Sequence, residues 1–390
     1  MAEELAYVLI TPHSIRKSRT GGIVSRLLSR SGLELVAGRM FAPSSELIAE
    51  FAESIVTETD ERHRRTQEMI RVYVLKNFSP LPDGTRPRVL MLVLRGEDAV
   101  EITRQVTGHI EHERTSGETI RDTYGDYVTD EHGVVYFEPA ALTAPNAETA
   151  RANLSLWAQY SDADGGILDD VIPSAETTDA KIEKTLVLIK PDNFRFPNAR
   201  PGGVIDTFSR TGLSIVGFQV HHLSVAEAEE FYGPVLAVLE EVFQEPTGRR
   251  ARLAAEEELD LPLDEATERQ FGEMLGPIAG RAHWESLVQF MSGRRPSQTP
   301  PNERDLPGSE RCVAIIYQGP DAVAKIRRVL GPTDPSKAPS GTIRREFGTT
   351  MMVNAAHASD SVDNAEREMA ILGLSRNKFK PLIESHLSAR

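Results

Sequence analysis

Thr185-Leu186-Val187-Leu188-Ile189-Lys190-Pro191 leads through Gly202-Gly203 to Thr211-Gly212-Leu213-Ser214-Ile215-Val216. Near the start, Tyr7-Val8-Leu9-Ile10-Thr11-Pro12 leads in the same way through Gly21-Gly22 to Ser31-Gly32-Leu33-Glu34-Leu35-Val36. Each block reads as a buried strand, a glycine-rich turn, a helix and a second strand. Short aliphatic, β-rich runs bounded by turn residues are strand signals, whereas Val204, Ile205 and Phe208 recur at helical spacing. Self-similarity on this scale marks an internal repeat.

The echo continues downstream. Val89-Leu90-Met91-Leu92-Val93-Leu94-Arg95-Gly96 and Asp98-Ala99-Val100 answer Val313-Ala314-Ile315-Ile316-Tyr317-Gln318-Gly319 and Asp321-Ala322-Val323. Gly117-Glu118-Thr119-Ile120-Arg121 answers Gly341-Thr342-Ile343-Arg344. Two strand–helix–strand units per copy predict an α+β protein. The expected architecture is two tandem ferredoxin-like domains, each an antiparallel sheet with helices packed on it. The expected boundaries are 1–160 for the first copy, a polar linker over about 161–182, and 183–390 for the second. The second copy carries two extra pieces: a helical insertion over about 236–280 and a proline-rich surface loop over about 295–309.

Composition narrows the function. The 390 residues are 40% hydrophobic and 26% charged, ordinary for globular domains with real cores. A formal net charge of −14 opposes broad attraction to nucleic acid or anionic membranes, and leaves room for a local basic pocket that takes a small phosphate ligand. Cys312 is the only cysteine, which excludes an intramolecular disulfide and a cysteine-based metal cluster. The acidic start, followed by an apolar stretch broken by Pro12, His13 and Arg16, does not read as a secretory signal. No apolar run approaches the ~20 residues that span a bilayer. These features predict a soluble, acidic, cytoplasmic protein with no nucleic-acid or membrane partner.

Chemistry-bearing residues concentrate in the second copy. Lys190 ends a strand just before Pro191, which stops strand pairing, so its ammonium can point into a pocket at the strand's end. Arg327 and Arg344 sit beside turn residues in separate segments, and their guanidinium forks suit phosphate oxygens. With Lys190 and Thr333 they make a phosphate cradle if the fold brings them together. His357 lies among small residues in Asn354-Ala355-Ala356-His357-Ala358-Ser359-Asp360-Ser361, and Ser359 or Asp360 can cap the following helix. Glu368 lies in that helix, where it can accept a hydrogen bond from one imidazole nitrogen and leave the other as a nucleophile. Taken singly, each of these residues also fits an ordinary surface or core role.

In combination, the His357 motif, Lys190-Pro191-Asp192 and Gly341-Thr342-Ile343-Arg344 resemble the nucleoside diphosphate kinase family over nearly all of the second copy apart from the two insertions. The resemblance implies a ferredoxin-like core and transfer of a γ-phosphate from a nucleoside triphosphate to a nucleoside diphosphate. It implies a ping-pong route through phosphohistidine, with Mg²⁺ held mainly by the nucleotide phosphates rather than by the protein, and a homo-oligomer. By position, His357 is then the nucleophile and Glu368 orients its ring, with Ser359 bonded to the glutamate and Tyr232 near the histidine. Lys190 contacts phosphate and ribose, Asn354 the sugar, and Arg327, Thr333 and Arg344 the β- and γ-phosphates. His283 and Trp284 stand where the family has the aromatic pair that stacks on the base, so the base pocket departs from the pattern.

The first copy lacks these parts. Thr11 stands in place of Lys190. Counting back from the Asn-Ala-Glu shared by 146–148 and 364–366 puts Pro139 opposite His357, with Tyr136, Ala141 and Ala150 opposite Asn354, Ser359 and Glu368. Arg104 and Arg121 survive. Residues 1–160 are therefore expected to be a degenerate copy that buries a face of the active domain or substitutes for a neighbouring subunit, with nucleotide sensing through the retained arginines as an alternative. Two rivals to kinase activity stay open: a non-enzymatic nucleotide-binding scaffold, and a phosphohistidine-dependent transferase with another acceptor.

Overall fold

A computed structural model describes residues 3–57, 60–110, 117–129, 133–169 and 181–388. The chain forms two compact units, Met1–Val220 with Val313–Arg390, and His221–Cys312. In chain order the first copy contains β1 (Glu4–Ile10), α1 (Pro12–Arg16), α2 (Thr20–Ser31), β2 (Glu34–Phe41), α3 (Ser45–Glu53) and α4 (Glu61–Asn77). It continues with β3 (Val89–Gly96), α5 (Ala99–Thr107), α6 (Ile120–Tyr124), β4 (Asp126–Thr129), β5 (Val135–Glu138), β6 (Ala141–Leu142) and α7 (Ala147–Asp164). The second copy opens with β7 (Ile182–Ile189), α8 (Arg200–Ser209) and β8 (Ser214–His221). Helices α9 (Val225–Val242), α10 (Gln244–Leu259) and α11 (Glu265–Ser292) follow. The chain closes with β9 (Cys312–Pro320), α12 (Ala322–Leu330), α13 (Ile343–Phe347), β10 (Ala356–Ala358), α14 (Val362–Ile371) and α15 (Phe379–Ser388).

The two main sheets have the same strand order, β2-β3-β1-β6 in the first copy and β8-β9-β7-β10 in the second. Strand β1 pairs antiparallel with β3 and β6, β2 with β3, and β7 with β9 and β10. The two strand–helix–strand units of each copy thus interleave into a ferredoxin-like sheet, as the repeat predicts. The apolar runs of β1 and β3 are buried nearly end to end, so the central strands are covered on both faces.

Three features differ from the sequence-based expectation. The glycine pairs are not turns: Gly21 lies in α2 and Gly202 in α8, inside the first helical turn. These two helices cross at that point. A Cβ on Gly202 would sit 2.2 Å from the Ser25 nitrogen, and one on Gly21 would sit 2.3 Å from the Asp206 nitrogen. Glycine is required there for backbone to meet backbone between the copies. Ser25 Oγ donates across the crossing to the Ala199 carbonyl at 3.0 Å. The copies also meet where Arg88 Nη1 donates to the Ile215 carbonyl at 2.7 Å and Leu168 N to the Val216 carbonyl at 2.8 Å.

The second difference concerns the linker. Helix α7 runs to Asp164, Gly165 bridges to Phe41, and Leu168 is tied to Val216, so 161–169 belongs to the folded unit. Residues 170–180 of the expected linker lie outside the described residues.

Third, α15 packs into the core of the first copy although it belongs to the second in sequence. Phe379 and Ile383 join the cluster that holds Phe41 and Trp157, with Phe379 edge-to-face on Phe41 at 5.8 Å. Asn377 Nδ2 donates to Ser161 Oγ and to Asp162 Oδ1, both at 2.7 Å.

In the second unit, α10 and α11 approach so closely that a Cβ on Gly248 would lie 2.4 Å from the Glu268 carbonyl. The proline-rich stretch is pinned rather than loose. Arg295 Nε meets Glu285 at 2.9 Å, and Arg304 pairs with Glu229.

Gly202→Ala is expected to cost about 1–3 kcal/mol, as overpacking does, and to lower the urea midpoint. Gly233→Ala, with no atom within 4 Å of the added Cβ, is the control and should stabilise its helix by about 0.5–1 kcal/mol. Phe379→Ala should cost about 3–5 kcal/mol, read as an unfolding shift that includes the first copy.

Candidate active site

His357 is the middle residue of β10, opposite Leu188 of β7. The strand is entered through Ala355 at φ +70°, a left-handed conformation that costs a non-glycine residue about 1–3 kcal/mol and must be held in place. The holding is visible. The Ala355 carbonyl accepts from Lys190 N at 2.9 Å and from Asn193 Nδ2 at 2.8 Å. Asn193 is a residue that the sequence reasoning missed. The available signal was Pro191, whose fixed φ starts a short 3₁₀ turn over Pro191–Asn193 and brings the amide back under β10.

The histidine is oriented by a buried carboxylate. His357 Nε2 lies 2.9 Å from Glu368 Oε2, and Ser359 Oγ donates to the same oxygen at 2.6 Å. Glu368 is 5% exposed and Ser359 fully buried, while the His357 side chain keeps 24% exposure. An ionised carboxylate only accepts, so Nε2 carries the proton and the lone pair of the neutral ring is on Nδ1. Ser361, rather than Ser359 or Asp360, caps α14, accepting from Asn364 N at 3.0 Å.

Further polar residues join through the segments that flank β10. Lys190, 4% exposed, donates from Nζ to Asn354 Oδ1 at 3.0 Å and to the Met352 carbonyl. Asn354 in turn donates to the Thr333 carbonyl at 3.1 Å and the Met351 carbonyl at 2.8 Å. Arg344 spans the carbonyls of Gly331 at 3.0 Å and Ala356 at 3.3 Å and reaches Thr333 Oγ1 at 3.4 Å. Arg327 is exposed at the end of α12. Its charge, after a hydrogen bond from Asn364, helps hold the Asp360 carboxyl below the usual carboxylate range. Beneath the lysine, burial raises the Asp192 carboxyl, with Lys190 and Arg200 opposing the shift. Arg200, also unforeseen, meets Asp192 at 3.4 Å and the Phe347 carbonyl at 2.5 Å.

Eight expected residues, Lys190, Arg327, Thr333, Arg344, Asn354, His357, Ser359 and Glu368, therefore belong to one compact unit. Lys190, Asn354, Thr333 and Arg344 are linked by hydrogen bonds, as are His357, Ser359 and Glu368, while Arg327 acts on Asp360 through its charge. Tyr232, His283 and Trp284 belong to the other unit. There Trp284 is buried, and its indole N–H donates to the Tyr232 carbonyl at 2.9 Å, so this ring is spent on packing rather than left open for a base. His283 lies 5.1 Å from the Phe243 ring. Among the described residues no three His, Cys, Asp or Glu side chains gather as a metal site, and no helix is long and apolar enough to cross a membrane.

The first copy carries the same scaffold with different side chains. Ala140 has φ +62°, and its carbonyl accepts from Thr11 N at 3.1 Å, matching Ala355 and Lys190. Leu142 lies opposite Leu9 as His357 lies opposite Leu188. Leu142, not Pro139, is therefore the counterpart of the histidine. Pro139, Ala144 and Asn153, rather than Tyr136, Ala141 and Ala150, then replace Asn354, Ser359 and Glu368. The count slipped because Asn146 caps α7, whereas Asn364 lies inside α14 beyond its cap Ser361.

A family model described as nucleoside diphosphate kinase matches residues 4–135 and 263–375. A nucleoside diphosphate kinase of Helicobacter pylori strain P12 is 29% identical over 195 residues, which is 50% of this chain and 98% of that protein. One from Staphylothermus marinus is 29% identical over 190 residues, 49% of this chain and 92% of that protein. The crystal structure of an NDP kinase from Pyrobaculum aerophilum, 29% identical, aligns over 49% of this chain and 95% of that one with a TM-score of 0.34.

Ser359→Ala removes the hydroxyl donor to a buried carboxylate. The expected cost is about 1.5–3 kcal/mol, measured as a lower unfolding midpoint, with the rest of the β10 register intact by amide exchange.

Proposed function

Because the chain belongs to the nucleoside diphosphate kinase family, we propose that residues 183–390 move a γ-phosphate between nucleotides through His357, while residues 1–160 form a copy that has lost this chemistry. The observation that carries the reading is the Ser359–Glu368–His357 chain, at 2.6 and 2.9 Å. It selects one tautomer and aims Nδ1 without asking the ring to become charged beforehand. In the first half-reaction the Nδ1 lone pair forms a bond to the γ-phosphorus. The bond from that phosphorus to the β-bridging oxygen breaks, and the nucleoside diphosphate leaves. Positive charge that develops on the imidazole is stabilised by the Glu368 carboxylate. In the second half, a terminal phosphate oxygen of another nucleoside diphosphate attacks the phosphohistidine and restores the neutral ring.

The remaining residues position and neutralise, which is most of what phosphoryl transfer asks of a protein. Lys190 and Asn354 form one fixed pair for phosphate and sugar. Arg344 and Thr333, with Arg327 near Asp360, supply donors for the β- and γ-phosphates. Mg²⁺ carried on those phosphates would offset their charge.

Incubation with γ-labelled ATP should give an acid-labile, base-stable phosphoprotein that GDP or CDP discharges within the mixing time. His357→Ala should lose the label entirely. No labelled protein, or label that persists in His357→Ala, sinks the reading. Label that no nucleoside diphosphate discharges would favour a different acceptor.

A further inference from the structure

A cavity lies away from His357. It lies in the first copy, with a volume of about 710 Å³, within the size range of sites that take a whole small-molecule ligand. Its walls are the first-copy counterparts of the transfer site. Arg104, Gly108, Arg121 and Leu142 line it where Arg327, Gly331, Arg344 and His357 stand in the second copy. The correspondence extends to hydrogen bonds. Arg121 Nη1 donates to the Gly108 carbonyl at 2.5 Å and Nη2 to the Ala141 carbonyl at 3.1 Å, as Arg344 does to Gly331 and Ala356.

We propose that this cavity binds a nucleoside diphosphate and does not transfer from it. The proposal uses the family fold of the first copy and does not need catalysis at His357. The cationic end is set by Arg121, 7% exposed, whose Nε has no hydrogen-bond partner and whose guanidinium has no carboxylate partner among the described residues. Burial, and then the charge of Arg104, push this guanidinium down to about 9. An anion beside two neighbouring arginines relieves that cost. The 18-residue helix α7 points its N-terminus at the same wall through Asn146 and Thr149, adding a partial positive charge. Phe51, Ile55 and Ile70 supply an apolar wall at which a base can be buried.

The lost residues define the ligand further. Thr11 replaces Lys190 and spends its hydroxyl oxygen on Ser14 N at 3.2 Å, so no ammonium is present there for a third phosphate. Leu142 puts an alkyl chain at the nucleophile's register position. Two arginines without the lysine suit a diphosphate, and a leucine in place of the histidine makes the site silent.

Equilibrium dialysis with ADP, which has no transferable γ-phosphate, tests this on the full chain. Wild type should bind two ADP per chain. Arg104→Glu changes an exposed side chain that pairs only with Glu101 at 2.9 Å among the described ion pairs, and should reduce the count to one. Lys190→Ala should also leave one, and that remaining ADP should be lost when Arg104→Glu is added. If only the Arg104-dependent ADP binds, the proposal stands even though the second-copy reading fails. A wild-type count of one that Lys190→Ala abolishes overturns it, as does a count of two that survives Arg104→Glu. Circular dichroism melts of each variant, superimposable on wild type, exclude unfolding as the cause of a lost site.

Discussion

A carboxylate removed from water must find its hydrogen bonds inside the protein, or its burial costs several kcal/mol. Glu368 meets that condition through Ser359 and His357, both acting on Oε2, while Arg367 Nη2 lies 3.9 Å from Oε1. The second copy is organised around this constraint. The carboxylate fixes the imidazole tautomer, the serine fixes the carboxylate, and β10 fixes the ring over β7. The strained Ala355 that leads into β10 is held by the Lys190 amide and Asn193, so Lys190 and His357 share one backbone junction. Loss of any of these groups leaves another buried polar group without its partner, which explains why the first copy has replaced several of them together.

The first copy shows what the scaffold does without its chemistry. The junction survives as Ala140 bonded to Thr11, and the arginine that spans two carbonyls survives as Arg121. The counterparts of His357, Glu368 and Lys190 are Leu142, Asn153 and Thr11. Asn153, in the place of Glu368, now bonds the Tyr7 hydroxyl at 2.8 Å. The first copy keeps a sheet, a cavity and two arginines without the His357, Glu368 and Lys190 side chains. It is also bound to its partner by glycine contacts between α2 and α8 and by α15, so neither copy is an independent bead on a string.

Much of this was legible in the sequence. The repeat specifies two interleaved sheets; Lys190, Arg344, His357 and Glu368 stand out as candidates because each lies close to a turn or cap with its own signature, whereas Asn354 enters only through the family resemblance. Other features were hidden for physical reasons. Gly21 and Gly202 look like turn residues, and only the helix crossing reveals that they are spacers. The alignment of the first copy slipped because an Asn-Ala-Glu triplet can sit at a helix cap or inside the helix, and only the strand register decides which. Helix α15 reads as part of the second copy because tertiary packing across copies leaves no local pattern. Trp284 reads as a stacking platform until its burial against α9 is seen.

The central claim is one transfer site per chain, oriented by Glu368. The most direct measurement is quantitative peptide mapping, at neutral to alkaline pH, of the protein after brief exposure to excess ATP. The account expects at most one phosphate per chain, on the peptide containing His357, with occupancy strongly reduced in Glu368→Gln. Two phosphates per chain, a phosphate on a first-copy peptide, or full occupancy of His357 at the wild-type rate in Glu368→Gln would contradict it.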